Sequence, residues 1–155
     1  GHLYKPGASL YMWRDFFTKG NIVGCDINKN ILFNDDRIQT FYLDQSNVEQ
    51  LEGVKNKFSG FDIIIDDGSH IKEHQIISFS ILNTLINPGG YYIIEDFDEK
   101  HLLDEDLISA YRFIASNNDF TFQIFETGRN NSSDLTDDIL LIFYALIFLI
   151  FPFHF

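Results

Sequence analysis

Hydrophobic runs without polar alternation recur along the chain, and an acid or an amide closes each of them. Such runs predict short strands that are covered on both faces, because a half-exposed strand would alternate apolar and polar residues. Four strands of this kind are predicted, at residues 22–26, 38–43, 61–65 and 91–94. A Pro-Gly-Gly turn at residues 88–90 precedes the fourth strand.

Apolar residues at helical spacing occupy the stretches between these strands. The spacing predicts helices over 8–17, 48–58, 74–86 and 107–114, and Ser46 with Glu49 predicts a capping box before the second helix. Residues 119–127 and 138–145 predict an antiparallel strand pair at a sheet edge. Alternating strands and helices favour an α/β, Rossmann-like doubly wound fold with a mostly parallel sheet.

Composition and charge narrow the class of protein. At 155 residues and 45% hydrophobic, the chain predicts one folded domain. A net charge of −12 disfavours a nucleic-acid partner, and the apolar run at 139–151 is shorter than the ~20 residues of a membrane helix. The lone Cys25 is expected to be a buried packing residue, and the lack of a second cysteine favours a reducing, cytoplasmic location.

The acidic strand ends are where chemistry is expected. Asp66, Asp67, Gly68, Ser69 and His70 follow the third strand, and an acidic pair at 95–96 follows the fourth. A helix-length crossover predicts that these strands are parallel neighbours ~5 Å apart. Their carboxyl ends should therefore open into one crevice. Close carboxylates repel one another unless a cation binds between them. The acidic run at 98–106 is interpreted as a solvated face.

In order and spacing, these motifs resemble class I S-adenosylmethionine-dependent methyltransferases. Within them the chain resembles the metal-dependent macrolide-sugar O-methyltransferases of macrocin and mycinamicin type, to which cephalosporin-hydroxylase-type proteins are related. The Asp-Asp-Gly-Ser-His and Ile-Glu-Asp pair is the most specific part of the resemblance. The matching segments are 7–10, 12–17, 23–27, 44–46, 66–70, 88–90 and 94–96.

The resemblance implies a role for each matching residue. Asp26 would accept hydrogen bonds from the cofactor ribose, Asp44 and Gln45 would lie at the adenine, and the methionine part would lie against Gly1, Gly7 and Ser9. The implied magnesium ligands are Asp67, Glu95 and Asp96, and the implied general base is His70. The implied reaction moves a methyl group from S-adenosylmethionine to a hydroxyl of a sugar or natural product.

The resemblance covers residues 1–145, which are interpreted as one domain, and leaves the apolar residues 146–155 without a predicted role. A strand that the family places before the glycine loop has no counterpart, so exposed strand edges predict a poorly soluble or homo-oligomeric chain. An inactive methyltransferase-like binding protein is therefore an alternative. A metal-dependent hydrolase also stays open, whereas the lack of a full Gly-x-Gly-x-x-Gly motif disfavours a nicotinamide-dependent oxidoreductase.

Overall fold

A computed structural model describes residues 6–95, 104–118, 120–127 and 138–145. Short 3-10 helices cover Lys29–Ile31 and Asn83–Leu85. The other elements are, in chain order, α1 (Ala8–Phe16), β1 (Ile22–Asp26), β2 (Asn34–Asp35), β3 (Ile38–Tyr42), α2 (Val48–Lys57), β4 (Phe61–Asp66), α3 (Lys72–Leu82), β5 (Ile86–Ile94), α4 (Glu105–Asn117), β6 (Phe120–Thr127) and β7 (Asp138–Ala145).

The described strands form two sheets. The first has the order β1-β3-β2, in which β1 and β3 are parallel and the two-residue β2 is antiparallel to β3. The second has the order β4-β5-β7-β6, in which β4 and β5 are parallel and the last two strands are antiparallel. The predicted α/β class, the parallel β4–β5 neighbours and the antiparallel edge pair are all confirmed.

The hydrophobic core lies on one face of the second sheet. Phe79 of α3 is fully buried there, and its ring stacks on Phe143 of β7 at 3.9 Å between centroids. The rings of Tyr92 in β5 and Tyr111 in α4 contact the Phe79 ring, at 5.0 and 5.8 Å between centroids. Helices α3 and α4 are thereby held against the sheet, which positions the loops at the carboxyl ends of β4 and β5.

Several element boundaries differ from the predicted ones, most by one or two residues. The N-cap of α2 is Asn47, whose side chain accepts a hydrogen bond from the Gln50 amide, so the capping box predicted at Ser46 is wrong. Ser46 instead donates to Asp44, an acid that competes for its hydroxyl. Helix α3 begins two residues earlier and ends four residues earlier than predicted.

Strand β5 begins at Ile86 and contains the predicted Pro-Gly-Gly turn. The turn survives as a bulge, since the register moves between the Phe61 and Ile63 pairings and Gly89 has a positive φ of 81°. Cys25 is exposed, which contradicts the expected burial. The physical reason is the face on which it lies: its neighbour Gly24 faces Leu10 of α1, so the Cys25 side chain points to the opposite face of the first sheet. No helix among the described residues has the length and apolarity to cross a membrane.

Candidate functional site

Two acidic strand ends lie side by side at one edge of the second sheet. In the parallel β4–β5 ladder, Asp66 pairs with Ile94, and the Glu95 amide donates a hydrogen bond of 3.0 Å to the Asp66 carbonyl. The ladder therefore continues past the ends of both strands. Asp67 and Glu95 follow directly, at the spacing of ~5 Å that neighbouring strands impose. The ladder thus sets the backbones of these two predicted metal ligands side by side, and their role as ligands stays a prediction.

His70 lies in the same loop as Asp67, and the structure brings the two together. Its Nε2 is 3.9 Å from Oδ1 of Asp67, and the two side chains are 41% and 61% exposed, so solvent and solutes can reach both. The backbone of His70 has a φ of 54°, in the left-handed region that few residues other than glycine adopt. Such a conformation persists only where surrounding contacts hold it, and it occurs often at functional sites.

The donor chemistry of this loop fits a hard cation. Asp67 and Glu95 offer carboxylate oxygens, the ligands that Mg²⁺ prefers, and a divalent ion would offset their mutual repulsion. Within the described residues, no group of three or more His, Cys, Asp or Glu side chains is arranged to hold a metal. The third predicted ligand, Asp96, lies outside the described residues.

A buried carboxylate, Asp66, lies directly beneath the loop. It is 7% exposed and accepts hydrogen bonds from Ser78 at 2.7 Å, Tyr92 at 3.2 Å and Gln45 at 2.6 Å. Burial raises the pKa of Asp66, and the hydrogen bonds from Ser78, Tyr92 and Gln45 act in the opposite direction. These hydrogen bonds offset part of the loss of water around this carboxyl group, so it can serve as a fixed anchor for the strand end.

Asp44 and Gln45 follow β3, as predicted, and their side chains are engaged within the protein. Oδ1 of Asp44 accepts hydrogen bonds from the amide and the hydroxyl of Ser46, which lower the pKa of Asp44. Gln45 bonds to Asp66 and Ser78, and it accepts a hydrogen bond from the Ser69 amide. The loops after β3 and β4 are thus in direct contact at the predicted crevice.

The remaining predicted cofactor residues lie around α1 and the end of β1. Asp26 closes β1 and accepts a hydrogen bond of 2.6 Å from the Asn28 amide, which shapes the turn after the strand. Gly7 is the N-cap of α1 with a φ of 81°, and a Cβ at this position would overlap the Phe33 ring. Ser9 is exposed on the first turn of α1. Gly1 lies outside the described residues.

Several residues that shape the site were not predicted from the sequence. Ser78 and Tyr92 bond to Asp66, but each lies in a mostly apolar segment next to a residue of its own type, Ser80 or Tyr91, so the sequence does not mark which one is the partner. Lys72, at the start of α3, forms an ion pair of 2.9 Å with Asp104, the N-cap of α4. Asp104 therefore has a structural role within the acidic run that was interpreted as a solvated face. Its position directly before an amphipathic helix could have predicted the N-cap.

Parallel strands that are joined by crossovers and closed by acids are typical of Rossmann-like folds. Solved structures agree with this class. The MycE methyltransferase of mycinamycin biosynthesis, in complex with Mg and SAH, superposes with a TM-score of 0.64 at 26% identity, over 90% of this chain and 41% of that one. An O-methyltransferase from Bacillus cereus, with a TM-score of 0.61 at 15% identity over 81% of this chain and 63% of that one, supports the fold alone.

The particular relatives are sugar O-methyltransferases, which confirms the predicted resemblance. Mycinamicin VI 2''-O-methyltransferase of Micromonospora griseorubida is 44% identical over 90 residues, covering 58% of this chain and 23% of the relative. The 8-demethyl-8-alpha-L-rhamnosyl tetracenomycin-C 2'-O-methyltransferase of Streptomyces olivaceus is 38% identical over 95 residues, with 61% and 25% coverage. The chain thus spans about a quarter of the length of these curated relatives. No protein-family model matches it.

Proposed function

We propose that this chain carries the cofactor and metal sites of an S-adenosylmethionine-dependent O-methyltransferase that uses Mg²⁺. The observation that carries the proposal is the hydrogen bond from the Glu95 amide to the Asp66 carbonyl, which sets two acidic strand ends side by side. The relatives of the chain support the same reaction, because they are named as O-methyltransferases and the MycE structure contains Mg and SAH.

Each predicted site residue has a role in this proposal. Asp67 and Glu95, with Asp96, hold the metal through carboxylate oxygens. His70 accepts a proton from the acceptor hydroxyl at Nε2, the atom that lies 3.9 Å from the Asp67 carboxylate. When bound, Mg²⁺ would lower the pKa of that hydroxyl, and S-adenosylmethionine would supply the methyl group.

The cofactor is proposed to lie along the carboxyl ends of β1, β3 and β4. Asp26 accepts hydrogen bonds from the ribose hydroxyls, as acids at this position of Rossmann-like folds do. Asp44 and the backbone of Gln45 lie at the adenine edge, and the segment of Gly1, Gly7 and Ser9 lies against the methionine part.

The acceptor is proposed to be a hydroxyl of a sugar carried by a small molecule. The names of the relatives support this class, since they specify mycinamicin VI and a rhamnosyl tetracenomycin as substrates and give 2''-O and 2'-O positions on them. A cytoplasmic location is part of the same proposal and rests on the single cysteine.

Calorimetric titration of the chain with S-adenosylhomocysteine and with Mg²⁺ tests the sites separately. We expect Asp67→Asn to weaken Mg²⁺ binding and to leave cofactor affinity unchanged, because the metal would contact this carboxylate whereas the cofactor would not. Asp26→Ala should weaken the binding of S-adenosylhomocysteine by about 1.5 to 3 kcal/mol and leave Mg²⁺ affinity unchanged. Asp62→Asn is the matched control, since Asp62 is exposed and lies at the opposite end of β4.

Methyl transfer to a sugar-bearing acceptor tests the chemistry. Transfer should stop in excess chelator, return with Mg²⁺, and be lost in His70→Ala while cofactor binding is retained. Transfer at full rate in chelator, or a His70→Ala variant as fast as the parent, would remove the metal-dependent mechanism.

An inactive binding protein is the second candidate, and the division of the described strands into two sheets favours it. A fold with an incomplete sheet can keep its loops without holding them rigidly enough for catalysis. Binding of S-adenosylhomocysteine and Mg²⁺ without transfer to any sugar acceptor would support this candidate over the enzyme.

A further inference from the structure

The side chain of Gln45 joins two loops that are far apart in sequence. Its Nε2 donates to Oδ1 of Asp66 at 2.6 Å and to the Ser78 hydroxyl at 3.0 Å, and its Oε1 accepts from the Ser69 amide at 2.9 Å. Both amide hydrogens and one acceptor position are thereby used. The carboxamide has one favourable orientation, because the flipped form would turn Oε1 toward the Asp66 carboxylate.

At one end, Gln45 binds the Asp66 carboxylate, which is buried and has further hydrogen-bond partners. Asp66 is buried and is also held by Ser78 and by the fully buried Tyr92. Gln45 therefore has a rigid anchor on its amide side, and its carbonyl side extends that anchor to the loop of residues 67–70.

The loop of residues 67–70 is packed directly onto Gln45. A Cβ on Gly68 would overlap Oε1 of Gln45 and would come within 3.2 Å of Asp66 Oδ1, so the loop approaches as closely as glycine permits. One residue beyond the Ser69 amide, His70 has its left-handed backbone. A conformation of this kind is sparsely populated and requires support from neighbouring contacts. The Gln45–Ser69 hydrogen bond supplies such support.

From this geometry, we propose that Gln45 is a positioning residue, which sets Asp67 and His70 for metal binding and proton transfer through the Ser69 amide. The inference rests on the proposed function for the identity of the metal. It assigns the Gln45 side chain to the loop after β4, whereas the family resemblance assigns this residue to the adenine. A substitution at Gln45 should then change the metal site more than the cofactor site.

Gln45→Met in the full chain tests the proposal, because methionine keeps the length of the side chain and removes all three hydrogen bonds. We expect the Mg²⁺ dissociation constant to rise about tenfold, with S-adenosylhomocysteine affinity measured without Mg²⁺ unchanged. Hydrogen exchange at the Ser69 amide should become faster by a similar factor. Gly68→Ala places a methyl group against Oε1 of Gln45 and should change Mg²⁺ affinity and Ser69 exchange in the same way. It is the second test variant if Gln45→Met does not fold.

Gln50→Met is the matched control. The Gln50 side chain accepts a hydrogen bond of 2.9 Å from the Asp44 amide, so its loss disturbs the loop after β3 without touching Ser69. Mg²⁺ affinity and Ser69 exchange should be those of the parent. If Gln45→Met loses cofactor affinity and keeps Mg²⁺ affinity, Gln45 is a cofactor residue and the proposal is overturned.

Unchanged Ser69 exchange in Gln45→Met would also overturn the proposal. A parent chain that binds no Mg²⁺ would contradict the proposed function instead. In that case the exchange measurement still decides whether Gln45 positions the loop.

Discussion

The thiol of Cys25 combines exposure with an unreactive chemical environment. The residue is exposed on β1, yet crowding by the surrounding protein raises its pKa to about 11. The carboxylates of Asp66 and Asp26 add to this shift, because negative charge disfavours a thiolate. Below pH 11 the thiol is therefore mostly protonated, and the thiolate fraction increases as the pH rises.

We expect Cys25 of the folded chain to react slowly with iodoacetamide at pH 8. A thiol with the ordinary pKa of 9.0 has about a hundredfold more thiolate at that pH, and the thiolate is the nucleophile. Mass spectrometry of the alkylated fraction over time measures the rate, and the same chain in urea is the control. Equal rates for the folded and unfolded chain at pH 8 would contradict the raised pKa.

At the scale of single residues, the sequence was most informative where chemistry and position coincide. Asp67 and Glu95 follow apolar strands, so their meeting at one sheet edge could be predicted from strand order. The bonds of Gln45 could not be predicted, because they depend on how two loops pack across the sheet edge. Cys25 was misjudged because an apolar segment does not reveal which face of its strand a helix covers.

At the scale of elements, one arginine joins α1 to the first sheet. The Arg37 guanidinium donates to the carbonyl oxygens of Phe17 and Gly20 at 2.8 Å and of Arg14 at 2.9 Å. These carbonyls lie at the carboxyl end of α1, where backbone acceptors lack helical partners and the helix dipole favours a cation. Arg37 thus closes the helix and ties it to the start of β3.

Arg37→Ala should lower the free energy of unfolding by about 1.5 to 3 kcal/mol, the range for hydrogen bonds to a charged group. Urea unfolding followed by circular dichroism measures the change. Arg112→Ala is the matched control, because Arg112 is exposed on α4 and its loss should change stability by less than about 0.5 kcal/mol. A similar effect of both substitutions would show that Arg37 does not hold α1.

The positions of strands were predictable wherever a continuous apolar run was clear. The predicted ranges of β1 and β7 agree with the observed strands, because continuous apolar runs mark them clearly. Polar boundaries were harder, since Ser46 and Asn47 are both good N-caps and the choice depends on a local competitor, Asp44, which binds the Ser46 hydroxyl. The short β2 has no apolar run of its own and was not predicted.

At the scale of the molecule, the second sheet has a partly exposed apolar face, here called the outer face. Cross-strand pairing and the alternation of side chains place six apolar residues of β4, β5 and β7 on it, next to Thr121 and Gln123 of β6. Tyr92, Ile94 and Phe143, which lie on the opposite face, are fully buried, whereas the outer-face residues are not. The apolar residues of the outer face are Ile63, Ile65, Tyr91, Ile93, Ile142 and Tyr144.

In the described part of the chain, β1 and β4 each have one edge without a paired strand. Unpaired edges next to apolar surface promote association between chains, because both ladder bonds and apolar burial are then available to a second copy. We therefore expect the isolated chain to self-associate. Sedimentation velocity over a range of concentrations should show species larger than one 18.0 kDa chain.

Ile63→Lys should reduce this association, since it places a charge on the edge strand β4 and on the outer face at once. Ser59→Lys adds the same charge at an exposed position before the strand and is the control for net charge. Association should fall in Ile63→Lys and persist in Ser59→Lys, because a lysine within the ladder opposes pairing whereas one outside it does not. A parent chain that sediments as a monomer at every concentration and melts cooperatively would refute the role of the open edges.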